Sequence, residues 1–337
     1  MAQNSVRPAA DDEYVIHGAP FSLFTRKLEA AFRFYALPFR MEASAIGGDG
    51  AAANRAATHQ IPVLQTPENW MIADTTPILD LLDARVPARR LFPEGPLGVL
   101  VHIVEEVLDE WVARVMVHFR WHYPENTRHI VSQFQGREVT LAEASEFPLA
   151  KWGPRACRAT GTELEFHQHA AEEEYFALLG ALDRQLGETT YALGNRPTAV
   201  DAILLGGFRA HTHADPLPDL TPYPRCTRWA DGAADPPKRD AELAPFPQST
   251  PFAAHVLKLA REQYAPFVLA NVDALATGQK AFVINTHGQP ASYLARPYPE
   301  KSRRMIQRRI RDRLDSTDRT QVERWLESEG LSAAFGP

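Results

Sequence analysis

Regular patterning begins at Tyr14. Residues 14–18, YVIHG, form a short apolar run closed by Gly18 and Pro20, the pattern of a buried strand. From Ser22 the period changes. Leu23, Phe24, Leu28, Ala31, Phe32 and Tyr35 recur at three- and four-residue steps, predicting a helix over 22–35 that Leu37-Pro38 ends. FRMEA at 39–43 reads as a second strand, and GGDGAAANRAATHQ as a Gly/Ala-rich, weakly helical stretch. IPVLQT and WMIA, 61–66 and 70–73, are strands around the polar turn Pro67-Glu68-Asn69. Asp74-Thr75-Thr76-Pro77 then opens a helix, ILDLLDARV, since Asp or Thr can cap free N–H groups and Pro is tolerated in a first turn. The order β-α-β-α-β-β-α over 14–87 predicts a small mixed α/β domain behind a flexible tail, 1–13.

Beyond a Pro-rich linker, 88–97, the period is helical. GVLVHIVEEVLDEWVARVMVHFRWHY (98–123), TELEFHQHAAEEEYFALLGALDRQL (162–186) and TAVDAILLGGFRAH (198–211) show no convincing strand. Proline-dense connectors fill about 212–252, and two or three further helices are expected after them, including the basic EKSRRMIQRRIRDRL (300–314). The whole of 98–337 is therefore expected to be an all-helical domain ending in a helical extension. In the basic segment, Met305/Ile306, Ile310 and Leu314 repeat every four residues, so one face should pack on the core while the arginines lie in solvent. Thr198-x-x-Asp201 reads as a capping box with Asp in place of Glu, a folding device.

Composition narrows the function classes. A chain of 337 residues suggests two domains, and 45% apolar with 23% charged residues is an ordinary globular profile. A net charge of −6 gives no reason to expect nucleic acid or an anionic membrane as partner. The two cysteines, Cys157 and Cys226, make no disulfide framework and fit a reducing compartment. The opening MAQNSVRPAADDE carries no apolar signal core, and charge interrupts every long apolar stretch, so a cytoplasmic location is expected. His118/His122, His167/His169 and His211/His213 are not joined by Cys or carboxylates at ligand spacing, so no metal is expected.

Taken in order, these pieces resemble the cytosolic glutathione transferase family. HGAPFSLFTRKLEAA is similar to that family's first strand, active-site turn and first helix. HQIPVL is similar to the strand opened by a cis-proline, DTTPI to its acidic residue followed by Ser, and GNRPTAVDAILLG to the capping segment of its helical second domain. The resemblance covers about 14–92 well and 98–215 loosely, and does not reach the last hundred or so residues. It implies a thioredoxin-like domain followed by an all-helical domain, glutathione as co-substrate, and a homodimer. One departure stands out: Leu23 follows Ser22, where related classes place Pro after the Ser or Cys.

A site of this kind must turn a thiol of pKa about 8.5 into a thiolate. A hydroxyl at a helix N-terminus supplies a donor and a partial positive charge. Ser22, at the start of the 22–35 helix, has both attributes, but a Ser there also serves as a plain cap. Thr25 is the alternative hydroxyl. The resemblance further assigns Phe21, His59, Gln60, Pro62, Val63, Asp74 and Thr75 to glutathione: the Gln60–Val63 edge for the cysteinyl backbone, Asp74 for the γ-glutamyl ammonium, Thr75 for its carboxylate and His59 for the glycyl carboxylate. Arg26 is equally well a surface ion-pair residue. Trp111, Val115, His118 and His122 share one stripe, read either as core packing or as the second-substrate wall, in which case it favours a bulky, aromatic electrophile. Three readings result: an enzyme that adds glutathione to, or exchanges it on, a small electrophile; a non-catalytic glutathione-binding or regulatory protein on the same fold; and, as a minor one, an anionic partner for the basic segment 301–313.

Overall fold

The structure, a computed structural model, describes residues 12–44, 50–232 and 242–337. All but the last two residues of the expected 1–13 tail lie outside that range, as does part of the Gly/Ala-rich stretch. The chain folds as β1 (Tyr14–Gly18), α1 (Leu23–Tyr35), β2 (Phe39–Ala43), α2 (Ala51–Arg55), β3 (Val63–Gln65), β4 (Met71–Ala73) and α3 (Thr75–Arg85). The strands form one sheet in the order β2-β1-β3-β4. β2 runs parallel to β1, while β3 is antiparallel to both β1 and β4, with Val63 between His17 and Ala73. This is a thioredoxin-like domain. Its helices follow from local chemistry: Ser22 caps α1, and Ala36 ends it in the left-handed region at φ 55°.

The helical domain comprises α4 (Gly95–Glu106), α5 (Ala113–His122), α6 (Pro124–Gln135), α7 (Leu141–Glu146), α8 (Pro148–Ala159), α9 (Glu165–Gln185), α10 (Ala199–Gly207), α11 (Pro224–Gly232), α12 (Pro251–Leu259) and α13 (Ala265–Ala276). A π-helical turn, Val107–Val112, joins α4 to α5. The chain closes with α14 (Pro297–Arg313), α15 (Ser316–Ser328) and α16 (Ser332–Phe335). One hairpin, β5 (Ala281–Thr286) and β6 (Gln289–Leu294), interrupts the helices, where the sequence suggested only helix. Its turn is local: His287-Gly288 take φ 52° and 85°, the positive pair a tight primed turn needs.

The main apolar core runs from β1 and α1 through α4, α5, α10 and α13 to α15 and α16, and a smaller one, with Ile130, Val131, Val139 and Ala144, lies under α6 and α7. The segment 88–97 is part of it. Leu91 and Phe92 are buried, and their N–H groups donate to the Asp83 carboxylate at 2.7 and 2.9 Å. α1 and α10 pack so closely that a Cβ on Gly206 would stand 2.7 Å from the Leu23 carbonyl and the Lys27 nitrogen. The Asp201 carboxylate accepts from the N–H groups of Thr198 (2.8 Å) and Ala192 (2.9 Å), tying the start of α10 to the chain before it. Ile306 and Ile310 of α14 and Leu314 just after it enter the core as expected, but Arg309 does too, between Asp80 at 2.7 Å and the Phe92 ring at 4.9 Å.

Candidate functional site

The turn after β1 is fixed from both ends. The Ser22 hydroxyl accepts from the Thr25 N–H at 3.3 Å. The Thr25 hydroxyl is buried and accepts from the Ala19 N–H, also at 3.3 Å. Arg26 donates to the Pro20 carbonyl at 2.9 Å and pairs with Glu29. Phe21 is turned away from the sheet toward α6: its ring meets Phe134 edge-on at 5.0 Å, and its carbonyl accepts from Arg120 at 2.7 Å.

Beside this turn lies a cavity of about 360 Å³. On its thioredoxin-like side stand Phe24, Gln60, Ile61, Pro62 and Asp74 to Pro77. The Ile61–Pro62 peptide is cis. Asp74, at φ 75°, occupies the N-cap position of α3, whose first N–H groups are those of Thr75 and Thr76. Burial raises the Asp74 carboxyl above its ordinary range, and the nearby Asp109 adds to that, against Lys27 and Lys301. Of the residues predicted for glutathione, Gln60, Pro62, Asp74 and Thr75 meet here. The others do not line the cavity: Phe21 packs on α6, His59 is exposed, Val63 is buried within the sheet, and Ser22 caps α1.

The helical side of the cavity is Asp109, Glu110, Ala113, Arg114 and Val117, with Ala156, Ala159 and Thr160 from the end of α8. The aromatic stripe of the same helix points elsewhere, which corrects the second-substrate reading. Trp111 and Val115 are in the core, where the Trp111 ring meets Phe267 at 5.6 Å and its N–H donates to Glu174 at 2.9 Å. His118 is buried against Glu172 at 2.7 Å, and the exposed His122 stacks on it at 4.8 Å. The physical reason is burial: the larger apolar area goes to the core, leaving the smaller and charged face to the cleft.

The remaining wall comes from just before and within α14: Arg296, Tyr298, Ser302 and Met305. Met305 was read from sequence as a core residue of the basic segment; Arg296, Tyr298 and Ser302, like Ile61, Asp109, Glu110 and Arg114, were not singled out. Ile61 alone had a signal, as the residue before the proline.

Below the cavity lies a buried charge network. Lys27, fully buried, donates to Asp109 at 2.6 Å, to Thr76 at 3.2 Å and to Glu105 at 2.5 Å. Burial acts to lower its pKa, but the Asp109 and Glu105 carboxylates outweigh it and hold the ammonium charged. Burial pushes Glu105 up to about 7 against the pull of Lys27. It likewise pushes Glu110 up to about 7, against Arg296 and with Asp109 and Asp74 adding to the rise. These contacts join α1 and α3 to α4 and the π turn, so they fix the two sides of the cavity against each other.

Residues 16–90 match the family model described as glutathione S-transferase, N-terminal domain. None of the curated proteins matches the chain. Among solved structures, a glutathione S-transferase from Methylobacterium radiotolerans in complex with glutathione sulfonate is similar at 20% identity, over 65% of this chain and 89% of that one, with a TM-score of 0.41. One from Methylobacillus flagellatus with glutathione bound is 14% identical over 66% and 98%, TM-score 0.41. Gtt2 from Saccharomyces cerevisiae is 16% identical over 64% and 94%, TM-score 0.43.

Proposed function

We propose, from the premise that residues 16–90 belong to the glutathione S-transferase N-terminal domain family, that the cavity at Pro62 binds glutathione and presents its thiol to a small electrophile. The observation that carries this reading is the meeting of three groups at one cavity: the cis Ile61–Pro62 strand end, the Asp74 carboxylate and the N-terminus of α3. Each suits one part of the peptide. A helix N-terminus favours an anion, so the γ-glutamyl carboxylate belongs over Thr75. Its ammonium belongs against Asp74, and the cysteinyl backbone along Gln60 to Pro62. Phe24, Val117, Tyr298 and Met305 give the rest of the cavity an apolar wall for the electrophile, aromatic ones included. The chemistry is conjugation or reductive displacement, with Ser22 as the donor to the thiolate. A homodimeric, cytoplasmic, detoxifying enzyme is the natural setting. Among the described residues no helix is long and apolar enough to cross a membrane.

A second reading has one specific observation in its favour. The Ser22 hydroxyl is occupied as a helix cap and does not line the cavity. A protein that holds glutathione without activating its thiol would look the same. Titration calorimetry with glutathione, beside turnover of 1-chloro-2,4-dinitrobenzene, separates the two. Binding with turnover supports the enzyme, and binding without turnover the second reading. Absence of binding, or binding unchanged in Asp74→Ala, would overturn both.

A further inference from the structure

Two guanidinium groups line the cavity, and both leave a donor unused. Arg296 is held from its backbone: the side chain of the buried Asn271 accepts from its N–H at 2.8 Å and donates to its carbonyl at 2.9 Å. Its Nη1 meets Glu110 at 2.9 Å, and Phe267 lies 5.8 Å from the guanidinium. Arg114 stacks on Trp111 at 4.0 Å, and its Nη2 donates to Glu174 at 3.1 Å. The Nε of each is buried and has no hydrogen-bond partner among the described residues. Such a donor is costly to leave unpaired and calls for an explanation. Of the wall's carboxylates, Asp109 is held by Lys27 at 2.6 Å and Asp74 goes to the glutathione ammonium in the reading above, while Glu110 pairs with Arg296 by charge and its Oε2, like the two Nε, has no hydrogen-bond partner among the described residues. Two guanidinium groups therefore face one open carboxylate, and the edge of a guanidinium matches a carboxylate's two coplanar oxygens.

We propose that Arg296, with Arg114 beside it, is a specificity-determining residue that selects a second substrate carrying a carboxylate. This rests on the reading that glutathione occupies the Pro62–Thr75 side of the cavity. Both arginines lie outside the 16–90 segment that matches the family model, so the preference is written in the helical domain and its C-terminal extension. Glu110 tempers it, because it competes for the same guanidinium. Neutralising Glu110 therefore frees Arg296 and strengthens binding, whereas neutralising Arg296 weakens it.

The test is titration calorimetry on the full chain, with and without glutathione, using 3,5-dinitrobenzoate and its uncharged counterpart 1,3-dinitrobenzene. The benzoate should bind at least about tenfold more tightly, as a hydrogen bond to a charged group commonly gives. Arg296→Gln should erase that preference, Arg296→Lys keep part of it, and Glu110→Gln raise benzoate affinity while leaving dinitrobenzene unchanged. Equal binding of the two probes, tighter binding of benzylammonium, or a preference that survives Arg296→Gln would overturn the proposal. Should Arg296→Gln fail to fold, Glu110→Gln decides alone, since a gain of affinity cannot come from lost structure. Discrimination between the probes without any glutathione binding would remove the glutathione reading and keep this one. Glutathione binding without discrimination would do the reverse.

Discussion

Lys27→Met should be among the most damaging single changes to the fold, and its cost should depend on pH. Lys27 and Glu105 are both fully inaccessible, and Lys27 also holds Asp109 and Thr76. Methionine keeps most of the stem volume, so packing is nearly conserved and the charge is the perturbation. Removing one member of a buried ion pair costs about 3–5 kcal/mol, because the partner is left as an uncompensated charge. Here that partner can escape by taking a proton. Glu105 is raised to about 7 by burial even with Lys27 present. Its folded value lies above its unfolded one, so the folded state binds the extra proton between about pH 4.5 and 7, and the stability that proton brings is lost as pH rises through that window. At pH 5.5 Glu105 is already largely neutral, and loss of Lys27 leaves mainly Asp109, which is partly hydrated at the cavity. At pH 8 the variant must bury a charged Glu105 or take up a proton from a dilute supply. Urea unfolding followed by tryptophan fluorescence should therefore show a loss of about 3–5 kcal/mol at pH 8 and a loss smaller by about 1–2 kcal/mol at pH 5.5. The double variant Lys27→Met/Glu105→Gln should recover part of the loss, since both buried charges are gone. A loss equal at both pH values, or strict additivity in the double variant, would refute the reasoning.

Ser22→Ala should cost about 1 kcal/mol of stability through the lost cap. If the hydroxyl also donates to the thiolate, turnover falls about ten- to a hundredfold with glutathione affinity unchanged, and unchanged turnover removes Ser22 from that role. Gly206→Ala should destabilise by about 1–3 kcal/mol, read by thermal unfolding, because its Cβ would meet the α1 backbone at 2.7 Å. Trp111→Leu should lower stability by about 2–4 kcal/mol, yet leave the order of preference among electrophiles as it was, which steady-state kinetics with a small panel would check. Sedimentation should give a dimer, and a species of 37.6 kDa at micromolar concentration would count against it.

The thioredoxin-like domain was legible because its signals are local. YVIHG, the period change at Leu23 and the Asp-Thr-Thr-Pro cap each specify their element within a few residues, and β1, α1 and α3 stand where those signals put them. The hairpin 281–294 was not legible, because AFVINT opens with four consecutive apolar residues, which fit a helix as readily as a strand, and Pro290 is tolerated in β6 only because both strands of the hairpin are edges. The stripe Trp111, Val115, His118 and His122 shows a different limit. Periodicity identified residues that share a helix face but not the neighbour that face would meet. A helix with one large apolar face and one small charged face, placed between a core and a cleft, gives the large face to the core.

The cavity itself was the least legible feature, for a geometric reason. Its thioredoxin-like wall comes from residues 60–62 and 74–77, joined by a short hairpin, so adjacent signals could point to one place. Its other wall pairs Glu110 with Arg296, and Asn271 with the backbone of Arg296, contacts closed only when α13 and α14 fold back over the π turn. Nothing within reach of Arg296 in the sequence distinguishes it from the arginines after it, which took attention as a basic surface. Burial separates them. Arg309 is drawn inward by Asp80 and Phe92, Arg304 and Arg311 stay on the surface, and Arg296 stops at the cavity because Asn271 fixes its backbone there. The same charged residue type thus serves as core tie, solvated face and cavity donor within eighteen residues, 296–313. Which of these an arginine becomes is decided by the elements that pack around it, and those lie far away along the chain.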